Sequence, residues 1–126
     1  MVSDPISDLI VRLKNASAVG KESVALPYSG VKHAIAKVLE KEGYVADVSK
    51  KNSSLVIKLV YQGGRPAIGG AKRISKPSRR MYLSVRDIHP VKRGHGLLVL
   101  STPAGILSGK EAKQKRAGGE VLFEIW

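Results

Sequence analysis

The sequence predicts an α+β protein in which an N-terminal α-β-α-β-β module packs against a mostly antiparallel C-terminal β module carrying one short helix. Three observations predict it. Apolar residues recur at helical spacing twice within the first 42 residues. From Tyr44 the spacing changes to period two, the signature of half-buried strands. Residues 62–70 hold four glycines and a proline, which places a boundary at about 62–67 and modules over 1–64 and 65–126.

Asp4-Pro5 opens the first helix. Asp4 is a good cap, Pro5 occupies the first helical position where its missing N–H costs nothing, and Ile6, Leu9, Ile10 and Leu13 form the buried stripe. The turn at Ala18-Val19-Gly20-Lys21 leads to a short strand, 23–26, ended by Pro27. Ser29 then caps a second helix with Val31, Ala34, Ile35, Val38 and Leu39 inside, Lys32, His33 and Lys37 outside, and Gly43 as the stop. Alternation over 44–49 and 54–61 around Lys50-Lys51-Asn52-Ser53 predicts a hairpin.

In the second half, Pro77 excludes a helix from the basic run 71–80, so Lys72, Arg73, Lys76, Arg79 and Arg80 project from extended chain or turns. Residues 81–85 read as a strand and 87–95 as a polar loop. Leu97-Leu98-Val99-Leu100 is a strand buried on both faces, stopping at Ser101, with Ser101-Thr102-Pro103-Ala104-Gly105 as a turn in which Gly105 can take positive φ. Ser108 and Glu111 fit a capping box that starts a basic helix through Arg116, broken at Gly118-Gly119. The final strand places Val121, Phe123 and Ile125 on one face and Leu122, Glu124 and Trp126 on the other.

Charge narrows the function. The 126 residues carry 22 Lys and Arg against 10 Asp and Glu, a formal +12, and the halves are unequal, with 10 basic and 6 acidic residues over 1–65 but 12 and 4 over 66–126. Between residues 67 and 116 only Asp87 and Glu111 oppose twelve cations, a field that calls for an anionic partner, nucleic acid first and an anionic membrane surface second. The membrane is disfavoured, because no amphipathic helix sets bulky apolar residues opposite the lysines of 110–116. No apolar stretch approaches ~18 residues, Met1 runs straight into Asp4-Pro5 without a signal core, and cysteine is absent, so a soluble cytoplasmic protein without disulfides or Cys-based zinc sites is expected.

An enzyme reading needs convergent residues that are missing. Ser101 has candidate bases in His33, His89 and His95 but no G-x-S-x-G motif, the histidines lack metal-ligand spacing, and the glycines of 62–72 do not form a phosphate loop, so no catalytic residue, metal or cofactor is assigned. A nucleic-acid hydrolase is the weakest alternative. In the basic run, Arg73 and Arg80 flank Ser75 and Ser78, and guanidinium and hydroxyl groups both bond phosphate oxygens. Tyr82 fits either a half-buried strand residue or a ring stacked on an unpaired base. Ser101 and Thr102 fit either a solvated turn or a hydroxyl pair recognising a base edge and phosphate. Gly118-Gly119 fits a helix stop and would also admit a close backbone approach to a ligand.

Five blocks in series carry a family resemblance: Asp4-Pro5-Ile6-Ser7-Asp8 with Arg12 and Asn15; Glu42-Gly43-Tyr44; Arg73-Ile74-Ser75-Lys76-Pro77; Ser101-Thr102 through Gly105; and Gly118-Gly119-Glu120-Val121-Leu122. In this order and spacing the chain resembles bacterial small-subunit ribosomal protein number eight over nearly its full length. The resemblance implies a primary rRNA-binding protein of the 30S subunit. Such a protein binds the central domain of the small-subunit rRNA, helps assemble the platform and touches small-subunit proteins five and twelve; in some members it also represses translation by binding the messenger RNA of its own operon. It implies that the turn at Ser101 and Thr102 enters the RNA groove, supported by Gly118, Gly119, Glu120 and Tyr82. Gly105, Lys72, Arg73, Ser75, Lys76, Arg79, Arg80, Asp4 and Lys32 complete the candidate RNA-binding set. The chain departs from the family pattern at Pro103, where a second serine is usual, at Ser78, where glycine is usual, and at Ser108-Gly109, where Thr-Asp is usual.

Overall fold

A computed structural model describes residues 4–126, so the reading of Met1 to Ser3 lies outside the described residues. The chain forms two compact units, Pro5–Gly69 and Gly70–Trp126 with Asp4. No helix among the described residues is long and apolar enough to cross a membrane.

In the first unit α1 (Pro5–Ala18) and α2 (Gly30–Lys41) accompany a sheet of β1 (Ser23–Pro27), β2 (Val45–Lys51) and β3 (Ser54–Leu59) in the order β1-β3-β2. Leu9, Ile10 and Leu13 of α1 are buried at the expected spacing. The β2–β3 turn uses Asn52 at φ 55°, a left-handed conformation that asparagine tolerates. A second hairpin, β4 (Tyr61–Gln62) and β5 (Arg65–Pro66), occupies what reads as a featureless glycine-rich stretch. Gly63 and Gly64 both have positive φ, 59° and 79°, which a two-residue hairpin turn of this hand requires.

The buried face of α2 differs from the expected one. It is Lys32, Ile35, Ala36, Val38 and Leu39, whereas Val31 is half exposed. The sheet edge explains the difference. Glu22 and Tyr28 exchange backbone bonds with β3 (Leu59 N to Glu22 O, Tyr28 N to Ser53 O), so by alternation Ser23, Ala25 and Pro27 turn their backbone groups outward. Lys32 buries its stem and donates its ammonium to the outward Pro27 carbonyl at 3.1 Å, a use that helical periodicity alone does not reveal.

The second unit is a five-stranded antiparallel sheet. β6 (Ala71–Arg73) and β7 (Tyr82–Leu83) pair with one edge of β10 (Gly119–Ile125), β8 (Leu97–Thr102) pairs with its other edge, and β9 (Gly105–Ser108) pairs with β8. Four local expectations change. The strand over 81–85 shrinks to β7 followed by a 3-10 turn at Val85–Asp87, and the polar loop that follows buries Ile88 and Val91 in the core with Leu98, Leu100, Leu107, Ala112 and Val121. Strand β8 continues through Ser101 and Thr102 because β9 pairs with it, leaving only Pro103 and Ala104 as the turn. Helix α3 (Gly109–Gln114) starts at the expected capping box but ends at Lys115, with Arg116 at φ 51° as the left-handed residue, so Gly118-Gly119 is not the helix stop. Finally, Val121 pairs with Leu100 while Phe123 pairs with Val99, so a bulge puts Val121 and Phe123 on opposite faces and breaks the simple alternation.

Removing the Lys32 ammonium should leave the Pro27 carbonyl without its partner. In a denaturant titration Lys32→Ala is expected to lose about 1–3 kcal/mol, against a few tenths for the exposed Lys37→Ala.

Candidate nucleic-acid interface

Strand β10 builds the site. Glu120 pairs with Tyr82 of β7 on one side and with Ser101 of β8 on the other, and Ser101 pairs with Ile106 of β9. Directly paired residues point to the same face, with Cβ atoms about 4.5–5.5 Å apart. Tyr82, Glu120, Ser101 and Ile106 therefore form one row across the sheet, on the face opposite Leu100 and Val121, which α3 covers. Tyr82 is 68% exposed, which resolves its two readings toward an open ring.

Two glycines set this row. A Cβ on Gly119 would overlap the Ser101 carbonyl oxygen, and one on Gly118 would lie 2.6 Å from the Leu83 carbonyl oxygen. The pair serves close packing of β10 between its neighbours. Gly105, at φ 114°, closes the β8–β9 turn from the other end. The Thr102 hydroxyl is engaged there, donating to the Gly105 carbonyl at 2.8 Å and accepting from the Ala104 N–H at 3.1 Å. The half-buried Ser101 hydroxyl has no such partner among the described residues. The turn that Pro103 occupies is thus held by Thr102, and Ser101 keeps its hydroxyl available.

Glu120 is the electrostatic centre. One of its oxygens, Oε2, accepts from the Ser75 hydroxyl and from Arg80 Nη1 at 3.0 Å. Ser75, fully buried, also accepts from the Met81 N–H at 3.2 Å and so ties the basic run to β10. Burial alone pushes the Glu120 carboxyl up, but the Ser75 hydroxyl, the Arg80 guanidinium and the charge of Arg73 outweigh it and hold it below the usual carboxylate range.

The remaining candidates divide. Lys72, Lys76 and Arg79 are exposed, the last two at either end of a tight Pro77-Ser78 turn closed by reciprocal backbone bonds of 2.9 and 3.0 Å. Arg73 is nearly buried and committed internally, to the Asp4 carboxylate at 3.2 Å and to the Leu122 carbonyl, so both members of that pair hold the fold. Lys32 belongs to the other unit, at the β1 edge. Reading Ser101 to Gly105 as a turn and Ser108 as a helix cap gave Ile106 no role, and it enters the row only once β9 is seen to pair with β8. No group of His, Cys, Asp and Glu among the described residues is arranged to hold a metal ion.

The family model described as "Ribosomal protein S8" matches residues 4–126. The chain belongs to the ribosomal protein S8 family. Proteins named small ribosomal subunit protein uS8 are similar to it over 100% of both chains: 45% identical in Oleidesulfovibrio alaskensis, 43% in Nitratidesulfovibrio vulgaris strain Miyazaki F and 45% in Kosmotoga olearia. In this S8-family chain three of the five sequence blocks meet at the site: the Gly-Gly-Glu block opens β10, the Ser-Thr block ends β8, and the Arg-Ile-Ser block supplies the Ser75 clamp on Glu120.

The lowered Glu120 pKa has a pH consequence. Its ionised form is favoured by the fold, so its contribution is fully present above the ordinary unfolded value, near 4.3, and is lost as pH falls through the lower folded value. Thermal unfolding between pH 7 and pH 2 should show stability declining below about pH 4, with a shallower decline in Glu120→Gln.

Proposed function

We propose that the chain binds the central domain of small-subunit rRNA directly, as a structural constituent of the ribosome and not as an enzyme, and that this binding helps assemble the platform of the subunit. Family membership makes it a small-subunit ribosomal protein. The observation that carries the RNA reading is the row of Tyr82, Glu120 and Ser101, an exposed ring, a fixed carboxylate and a hydroxyl side by side across three strands.

Each member favours a different part of RNA. The Tyr82 ring suits stacking on an unpaired base. Glu120 would repel phosphate, so it suits donors, either a base amino group or a ribose 2′-hydroxyl, which DNA lacks. Ser101 can donate or accept at a base edge or sugar. Exposed Lys72, Lys76 and Arg79 supply the sequence-independent attraction to phosphate around this reader. Together they suit an irregular RNA helix with an internal loop, and a messenger RNA of the same shape would fit the same surface.

Binding to a central-domain hairpin with an internal loop, against a fully paired duplex of equal length, tests this across a salt series. The hairpin should be preferred even at high salt. Tyr82→Ala should cost about 1–3 kcal/mol of hairpin binding without changing the salt slope. Lys76→Ala and Arg79→Ala should flatten that slope by about 0.7–0.9 for each phosphate no longer neutralised. Equal binding of hairpin and duplex with a steep slope would leave only a basic protein.

A further inference from the structure

Beside the row, the Gly70–Trp126 unit holds a small cavity. Leu98 and Val121 of the core, with Ile74 and Leu83 packed partly buried against it, floor a space of about 150 Å³ that no residue of α3 lines. Its mouth is formed by Met81, Tyr82, His89 and Glu124. Both strand walls are pinned. The Val121 N–H donates to the Met81 carbonyl at 2.9 Å and the Ile74 N–H to the Leu122 carbonyl at 3.1 Å, so the cup exists before anything enters it. We infer that this cup binds a free small molecule, a neutral planar heteroaromatic ring carrying an N–H donor.

The size of the floor selects a ring. An apolar cavity of about 150 Å³ holds one benzene-sized ring, whereas drug-sized ligands need about 300 Å³ or more. The Met81 thioether beside an aliphatic floor suits an aromatic edge. The mouth selects the donor. Glu124 stands opposite Leu98 in one register and opposite Lys72 in the other, and directly paired residues share a face. Its half-buried carboxylate nevertheless makes no ion pair or hydrogen bond among the described residues. His89 Nδ1 lies 3.2 Å from the Pro90 carbonyl oxygen, a contact that puts the proton on Nδ1 and leaves Nε2 of the neutral ring as a second acceptor. The Tyr82 hydroxyl can turn either way. Charge sets the rest. An anion in the cup would meet Glu124, and a cation would have to enter the field of residues 66–126, where 12 basic residues against 4 acidic leave a net +8. A neutral ring avoids both penalties, buries its apolar edge on the floor and gives its N–H to Glu124 in a charge-assisted bond.

The test titrates the isotope-labelled full chain with indole and with 1-methylindole, which keeps the ring and lacks the donor, and follows amide and methyl chemical shifts. Indole should give saturable shifts centred on Ile74, Leu83, Leu98 and Val121, and should bind about tenfold more tightly than 1-methylindole, the size of a hydrogen bond to a charged group. Glu124→Met removes the acceptor at similar length and should bring the two affinities together, a ratio that does not depend on the stability of the variant. Leu83→Phe fills the cup and should lose indole while remaining folded by thermal unfolding, whereas Ser101→Ala, on the row, should bind indole like the parent. Shifts that fail to saturate, or that scatter over the surface, would overturn the inference. So would equal binding of the two ligands by the parent chain, or a preference for indole that survives Glu124→Met. Perturbation of the cup by the internal-loop hairpin with none by indole would give the cup to an RNA base, and the small-molecule site would fall.

Discussion

The interface depends on how closely strand β10 approaches β8. Gly119 lies so near the Ser101 carbonyl that no side chain can be accommodated between them, and Gly118 is almost as tight against Leu83. That proximity places Glu120 between Tyr82 and Ser101, and a wider spacing would separate the ring from the hydroxyl. The bulge at Leu122 then turns the strand so that Val121 enters the core beside Leu100 while Phe123 and Ile125 serve the opposite face. One strand thereby closes the core under α3 and displays the row on the other side of the sheet.

Glu120 is the second constraint, because a carboxylate in so cationic a half would be expected to sit on the surface as a screening charge. It is instead largely covered, with Ser75 and Arg80 on the same oxygen. This arrangement keeps the group ionised and fixes its direction, leaving its other oxygen for a ligand donor. The neighbouring cations are sorted by the same geometry. Arg73 is spent on Asp4 and a backbone carbonyl, Arg80 on Glu120, and Lys72, Lys76 and Arg79 remain for the solvent and whatever anion approaches. A basic composition therefore overstates the number of side chains free to meet RNA.

How much of this was legible in the sequence follows from which forces were local. The caps at Ser29 and Ser108, the α1 stripe, the 45–59 hairpin and the α+β class rest on short-range patterns, and all appear in the structure. The α2 face, the 3-10 segment that buries Ile88 and Val91, the continuation of β8 past Leu100 and the bulge in β10 rest on partners far away in the chain, which periodicity does not encode. The site divides in the same way. Many of its residues stood out through the family blocks and the basic run, but their roles did not: Thr102 holds a turn, Ser75 clamps a carboxylate, and Lys32 caps a sheet edge.

The most direct measurement of the central claim is amide chemical-shift mapping of the isotope-labelled chain as the internal-loop hairpin is added. If the row reads the RNA, the largest perturbations fall on Tyr82, Ser101, Gly119 and Glu120, with smaller ones around Lys76 and Arg79. Perturbations concentrated on α3 and spread over the exposed lysines, with Gly119 and Glu120 unmoved, would contradict it.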